Sequence, residues 1–373
     1  MKNILIAFDS FKGSITSDEA NGIVESNCKK INPNLNIQKL ILSDGGEGFL
    51  ETYRSKDSKS IQVQIHNPLD ELILGKYLIR NNTAFLSLAD TSGLTLIPED
   101  KRNPELTSTR GLGDCVVHSL NRGIRRFVIG IGGSATNDAG MGALSSLGFR
   151  FLDRKGSLLP PCGKSLTSIH KIIEPHFPEL TESEFLLACD VNNPFYGKKG
   201  AAYVYSPQKG ADPEIVVQLD RGLRHFHRLV KKTKDLDLQK IPGSGAAGGL
   251  AGGLFAYLNS KIIPGMNLLI NEMNLEEKFR DLDLILTGEG CLDNQTLNGK
   301  TISALAGLAK KYSKPILAFA GSISGNPEQL HALGLTAFFS ICRGPSSMEA
   351  SMQKEIAKKN LELTSFEILK LVL

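Results

Sequence analysis

The sequence predicts an α/β protein in which a parallel-sheet domain is interrupted by a second, α+β domain. Three observations predict it. Short apolar runs alternate with helical stretches near both termini, three strand-like runs follow one another at hairpin spacing in between, and 373 residues exceed what one ordinary core holds. The alternation calls for a parallel sheet built from the two ends of the chain, and the hairpin spacing for antiparallel pairing in the middle. On this reading residues 1–70 and 281–373 form the discontinuous α/β domain and residues 71–280 the inserted one.

NILIAF (3–8) is an Ile- and Leu-rich run that ends on a polar turn, as a strand buried on both faces does. Ser17-Asp18-Glu19 opens a helical stretch to about Lys30, with Ile23 and Val24 among its apolar positions. IQKLIL (37–42) is a second strand, closed by Ser43-Asp44-Gly45-Gly46. IQVQI (61–65), ILGKYLI (73–79) and TAFLSLA (83–89) are strand-like, with no good helix between them. RRFVI (125–129), FRFLD (149–153) and FLLACD (185–190) are further strands, and LDRGLRHFHRLVKKTK (219–234) reads as a helix. DLILTG (283–288) is a strand closed by a glycine-rich turn, followed by a helix near 302–311 and the strand PILAFAG (315–321). The tail, 348–371, is one amphipathic helix suited to packing on the sheet.

Composition excludes several function classes. Hydrophobic residues make up 41% and charged residues 22%, and the net charge is +4 with no basic tail, which argues against a nucleic-acid partner. The six cysteines (28, 115, 162, 189, 291 and 342) show no Cys-x-x-Cys spacing, so neither a zinc ribbon nor a disulfide framework is expected. The opening MKNILIAFDSF lacks the apolar core and cleavage site of a signal peptide, and no long uncharged apolar run occurs. A cytoplasmic protein without a membrane partner is expected. A homodimer is compatible with the sequence, which encodes no motif for oligomeric state.

GIGGSATNDAG (130–140) poses the sharpest question. Gly130-Ile-Gly132-Gly-Ser-Ala135 satisfies G-x-G-x-x-A after a strand, and Asp153 ends a second strand about twenty residues on, which together make a dinucleotide fingerprint. Two features weigh against it. Asp138 would set a negative charge beside a pyrophosphate, and the stretch is one of seven polar or glycine-rich loops, the others being 9–14, 43–48, 190–200, 206–211, 242–249 and 287–300. A dehydrogenase needs one phosphate-cradling turn. Several such loops, some carrying carboxylates and lysines, suit phosphoryl transfer, which rests on positioning and charge stabilisation. The Gly-Lys-Ser/Thr triplets at 163–165 and 299–301 lack the earlier P-loop glycine, since Leu158 and Asn294 occupy its place.

Taken in order, DSFKGS, DGGEG, RNP (102–104), GIGGSATND, DVNNP with PQKGA, the PGSGAAGGL loop and the TGEG loop resemble one family, the bacterial class I glycerate kinases, over essentially the whole chain. The resemblance implies a flavodoxin-like α/β domain interrupted by a second domain, with the active site in the cleft between them. It also implies transfer of phosphate from ATP, with Mg2+, to D-glycerate, giving 2-phospho-D-glycerate. Alternatives are the 3-phosphate product, another small hydroxy acid, or a nucleotide-binding protein without turnover. The family's frequent arginine in the TGEG loop is Cys291 here, and a common glycine is Ala139.

Within these motifs residue chemistry suggests roles. Lys12 and Arg102 are candidates to hold the substrate carboxylate, with Ser10, Ser134, Asn137 and Asp138 also facing substrate or phosphate. Asp9 and Asp190, each ending an apolar run, are candidates for general base or magnesium ligand. An N-cap role competes for Asp9. Gly288 and Gly290 would let backbone approach phosphate oxygens, Lys300 would offset their charge, and Glu289 and Asp293 would face magnesium. Gly243, Ser244 and Gly245 either hold a nucleotide anion at a helix start or let two helices pack closely.

Overall fold

Ile4, Ile6, Ala7 and Phe8 are wholly buried, so the first apolar run lies inside a sheet rather than on its edge. The computed structural model describes residues 2–11, 13–42, 45–46, 48–293 and 301–373, which contain thirteen strands, numbered here along the chain. The chain divides into two compact units, Met1–Ser43 with Met266–Leu373, and Asp44–Gly265.

In the first unit β1 (Asn3–Phe8) pairs in parallel with β2 (Asn36–Lys39) on one side and β11 (Leu284–Leu292) on the other. Next come β12 (Ile316–Ile323) and β13 (Ala337–Ser340), also parallel, giving the order β2-β1-β11-β12-β13. Renumbered within the unit this is 2-1-3-4-5, the doubly wound order of a flavodoxin-like sheet. Two elements differ from the sequence reading. The second strand stops at Lys39, although Leu40 N–H still donates to Ile6 O at 2.9 Å. The stretch Gly288–Leu292 is strand, not turn, with Glu289 opposite Ala320 and Cys291 opposite Ser322. A Cβ on Gly288 would collide with Phe319 O on the neighbouring strand and lie 2.6 Å from the Phe8 ring, which stacks on Phe319 at 6.1 Å between centroids, so the position requires glycine.

The helix Ser17–Ile31 opens on a capping box in which Thr16 and Glu19 exchange side-chain and backbone hydrogen bonds. It packs on the C-terminal helix Lys354–Val372, where Asn27 Nδ2 donates to Glu362 O at 2.7 Å and Ser365 Oγ at 2.9 Å. The tail is two helices rather than one, because Gln353 turns to φ −58°, ψ 128° after Met348–Met352.

The second unit holds a mixed six-stranded sheet in the order β10-β9-β6-β5-β4-β3. β3 (Lys59–His66), β4 (Leu72–Arg80) and β5 (Thr83–Ser87) are an antiparallel meander. β6 (Arg126–Gly130), β9 (Glu184–Ala188) and β10 (Lys261–Ile263) continue in parallel from β5. Asn81 and Asn82, at φ 47° and 58°, make the tight β4–β5 turn, which needs left-handed residues in sequence. β3 pairs along its whole length with β4, which puts it in this unit, Asp44–Gly265, whereas the sequence reading set the insert at 71–280. Phe127 and Phe185, stacked at 4.8 Å on neighbouring strands, sit in a core wholly within this unit.

FRFLD does not join the parallel sheet. β7 (Arg150–Leu152) pairs antiparallel with β8 (Lys171–Ile173), and Asp153 Oδ1 accepts the N–H groups of Lys155 and Ser157 at 2.8 Å each. The acidic residue that completed the dinucleotide fingerprint therefore closes a turn. Among the described residues no helix is long and apolar enough to cross a membrane.

Candidate functional site

The parallel strands β5, β6, β9 and β10 end on the same edge of the second sheet, where ligands of such sheets bind. The loops leaving β6 and β9 meet the glycine-rich loops there, backbone against backbone. Gly132 N–H donates to Gly45 O at 2.8 Å, Ala139 N–H to Gly248 O at 3.1 Å, and Gly245 N–H to Asn193 O at 3.1 Å. A Cβ on Gly132 would stand 2.6 Å from Gly46 Cα, so that approach requires glycine. Together these loops line a cavity of about 230 Å³ whose walls include Gly132, Ser134, Asp190, Tyr205, Lys209 and Ala247.

Two predicted residues line it. Ser134 Oγ stands 3.0 Å from Thr136 Oγ1 and accepts from Thr136 N–H at 3.1 Å. Asp190 follows β9 with its carboxylate exposed, and its Oδ1 accepts from Gly265 N–H at 2.8 Å. A third cavity residue, Lys209, had no role in the sequence reading, although its PQKGA motif did. Its side chain is 2% exposed, and its Nζ donates to Thr136 O at 2.6 Å. Burial pushes its pKa down to about 7, against a smaller upward pull from Asp138.

Asp138 and Asn137 are wholly buried and do not line the cavity. Asp138 accepts four hydrogen bonds, from Thr109 N–H (2.9 Å), Thr109 Oγ1 (2.8 Å), Gly140 N–H (3.0 Å) and Gly142 N–H (3.0 Å). Burial pushes its carboxyl above the usual range, and those donors pull it back. Asn137 Oδ1 accepts from Ser206 Oγ at 3.1 Å, while its buried Nδ2 finds no acceptor among the described residues. Arg102 packs its main chain on Gly210, next to Lys209, and its buried Nε has no partner among the described residues. Ser244 Oγ is spent on Leu238 O at 2.7 Å, and the N–H groups of Ser244, Gly245 and Ala246 all donate within the chain. Ala246 and Ala247, rather than Gly243–Gly245, reach the cavity.

In the first unit the point where strand order reverses lies between β1 and β11. Asp9 and Ser10 leave β1 there, with Asp9 N–H bonded to Gly288 O at 2.9 Å and Ser10 N–H to Asp9 Oδ1 at 2.6 Å. Glu289 and Gly290 continue β11 beside them, and Asp293 follows its last residue. Lys12 and Lys300 lie outside the described residues. No group of three or more His, Cys, Asp or Glu side chains among the described residues could hold a metal ion. Mg2+ bound with a nucleotide takes one or two carboxylates and completes its shell with phosphate oxygens and water, so Glu289 and Asp293 are donors of the right chemistry.

Comparison with known proteins places these motifs. The model of the glycerate kinase family matches residues 4–373. A glycerate kinase of Halalkalibacterium halodurans is 37% identical over 98% of this chain and 98% of its own. The glycerate 2-kinase of Escherichia coli is 35% identical over 94% of this chain and 93% of its own. A crystal structure from Salmonella typhimurium, assigned as a glycerate kinase 2, superposes with a TM-score of 0.85 at 34% identity, covering 98% of this chain and 97% of that one.

Proposed function

The chain belongs to the glycerate kinase family, and from that premise we propose that it transfers the γ-phosphoryl group of ATP to the C2 hydroxyl of D-glycerate, yielding 2-phospho-D-glycerate and ADP in the cytoplasm. The observation that carries the substrate half of this reading is the cavity of the second unit. At about 230 Å³ it is smaller than ordinary drug-sized pockets, and it presents a buried lysine, a serine and a carboxylate. That is room for a three-carbon hydroxy acid. The glycerate 2-kinase activity named for the Escherichia coli relative supports the choice of hydroxyl.

Asp190 is assigned as general base. It is a strand-end carboxylate among the cavity's lining residues, oriented by the Gly265 N–H at its Oδ1, where a substrate hydroxyl proton can be taken up. As the proton leaves, the substrate oxygen forms its bond to the γ-phosphorus, the bond from that phosphorus to the ADP oxygen breaks, and ADP departs. Asp9, Ser10, Glu289 and Gly290 are assigned to the nucleotide, and Glu289 with Asp293 to Mg2+. The metal ion, when bound, neutralises the charge that develops on the phosphate oxygens.

The test is ADP release by the purified protein. ADP should form with D-glycerate, ATP and Mg2+, stop on chelation of the metal, and fall to background when glycerol replaces glycerate. Asp190→Asn should lower kcat by about a hundredfold or more with little change in the KM for ATP. ADP release independent of glycerate would overturn the substrate assignment, and an Asp190→Asn enzyme of normal kcat would overturn the base.

A further inference from the structure

We propose that Lys209 receives the carboxylate of the substrate, fixing the small acid in the cavity of the second unit, an assignment that rests on the glycerate kinase reading above. Lys209 is 2% exposed and has no carboxylate within ion-pairing distance among the described residues. Its one hydrogen bond among the described residues, to Thr136 O, uses one of three ammonium donors. A buried ammonium without a counter-charge is costly, and the cost disappears when an anion enters beside it.

Among the described residues no anion fills that role. Asp138 is committed to four hydrogen bonds on the loop after β6 and forms no ion pair with Lys209. Asp190, which follows β9, shares the cavity with Lys209 but is held at Gly265. Among the described residues the other titratable groups around Lys209 are Cys189, beside Asp190, Tyr205, four residues earlier in the chain, and Arg102, whose main chain packs on Gly210. None of these three is an anion at neutral pH. The cavity thus has a cation at one wall and the proposed base among its other lining residues, the arrangement a hydroxy acid requires.

The experiment measures steady-state kinetics of the whole protein with D-glycerate and with its uncharged amide, glyceramide. Lys209→Met and Lys209→Gln should each raise the KM for glycerate about a hundredfold or more, leave the KM for ATP within about threefold, and abolish the preference for glycerate over glyceramide. In the unaltered protein, kcat/KM for glycerate should fall as pH rises through about 7, where Lys209 loses its proton, and kcat/KM for glyceramide should stay flat. The second measurement decides the matter even if both variants fail to fold. Variants with an unchanged glycerate KM, or parallel pH profiles for the two compounds, would overturn the role of Lys209 alone. Absence of any glycerate-dependent ADP from the unaltered protein would overturn the reading beneath it as well.

Discussion

Lys209 and Asp138 are both buried charges, yet their partners divide them by task. The lysine has one backbone carbonyl and opens on a cavity; the aspartate has four donors and none of the cavity. In the sequence they looked the other way round. Asp138 sits in a glycine-rich turn and read as a ligand, because its donors at Thr109 come from a loop 29 residues away. Lys209 sits in a polar loop with nothing in the sequence to show that it is buried. Asp138→Ala should therefore act on stability, leaving the buried N–H groups of Thr109, Gly140 and Gly142 without an acceptor, at a cost of about 3–5 kcal/mol. Denaturant midpoints measure this, and a midpoint near that of the unaltered protein would show that the loop holds itself. Ser134 and Asp190 were legible because both follow strand ends, where position alone implies exposure to a ligand.

Among the elements, the capping box at Thr16–Glu19 shows local sequence and tertiary charge acting together. Lys354 at 2.9 Å, the Thr16 N–H and Lys358 at 3.0 Å hold the Glu19 carboxyl down to about 2. A carboxyl lowered on folding contributes stability that is present above its unfolded value and is lost as pH falls toward the folded one. Glu19→Gln should cost about 1 kcal/mol near pH 7, with the gap to the unaltered protein closing between about pH 4.5 and 2. Thermal unfolding across that range reads it, and a gap constant with pH would remove the ion pairs from the account. The helix start was legible from Ser17-Asp18-Glu19; the break at Gln353 was not, since no glycine or proline marks it. The extension of β11 through Gly290 was also hidden. Glycine reads as a turn, and here the Phe319 carbonyl and the ring of Phe8 demand the small size of Gly288 within a strand.

For the whole molecule, strand order emerged where burial is uniform. Apolar runs at both ends of the chain announced a parallel sheet, and the five strands adopt the 2-1-3-4-5 order, which sets Asp9 and Glu289 at its switch point. The limits of the inserted unit were not legible, because a polar loop after β2 and the hairpin that follows look alike in sequence until β3 is seen to pair with β4. The glycine-rich loops carried the family, and in Gly132, Gly245 and Gly248 a Cβ would collide with neighbouring backbone. Their number spoke for a shaped site, and the identity of that site came from the residues between them. The reaction proposed for the molecule is phosphorylation of D-glycerate at C2. It is tested most directly by incubating the protein with D-glycerate, ATP and Mg2+ and coupling the product to enolase in the absence of phosphoglycerate mutase. Immediate formation of phosphoenolpyruvate is the predicted result. ADP formed from glycerate with no phosphoenolpyruvate until mutase is added would contradict it, placing the phosphate on C3.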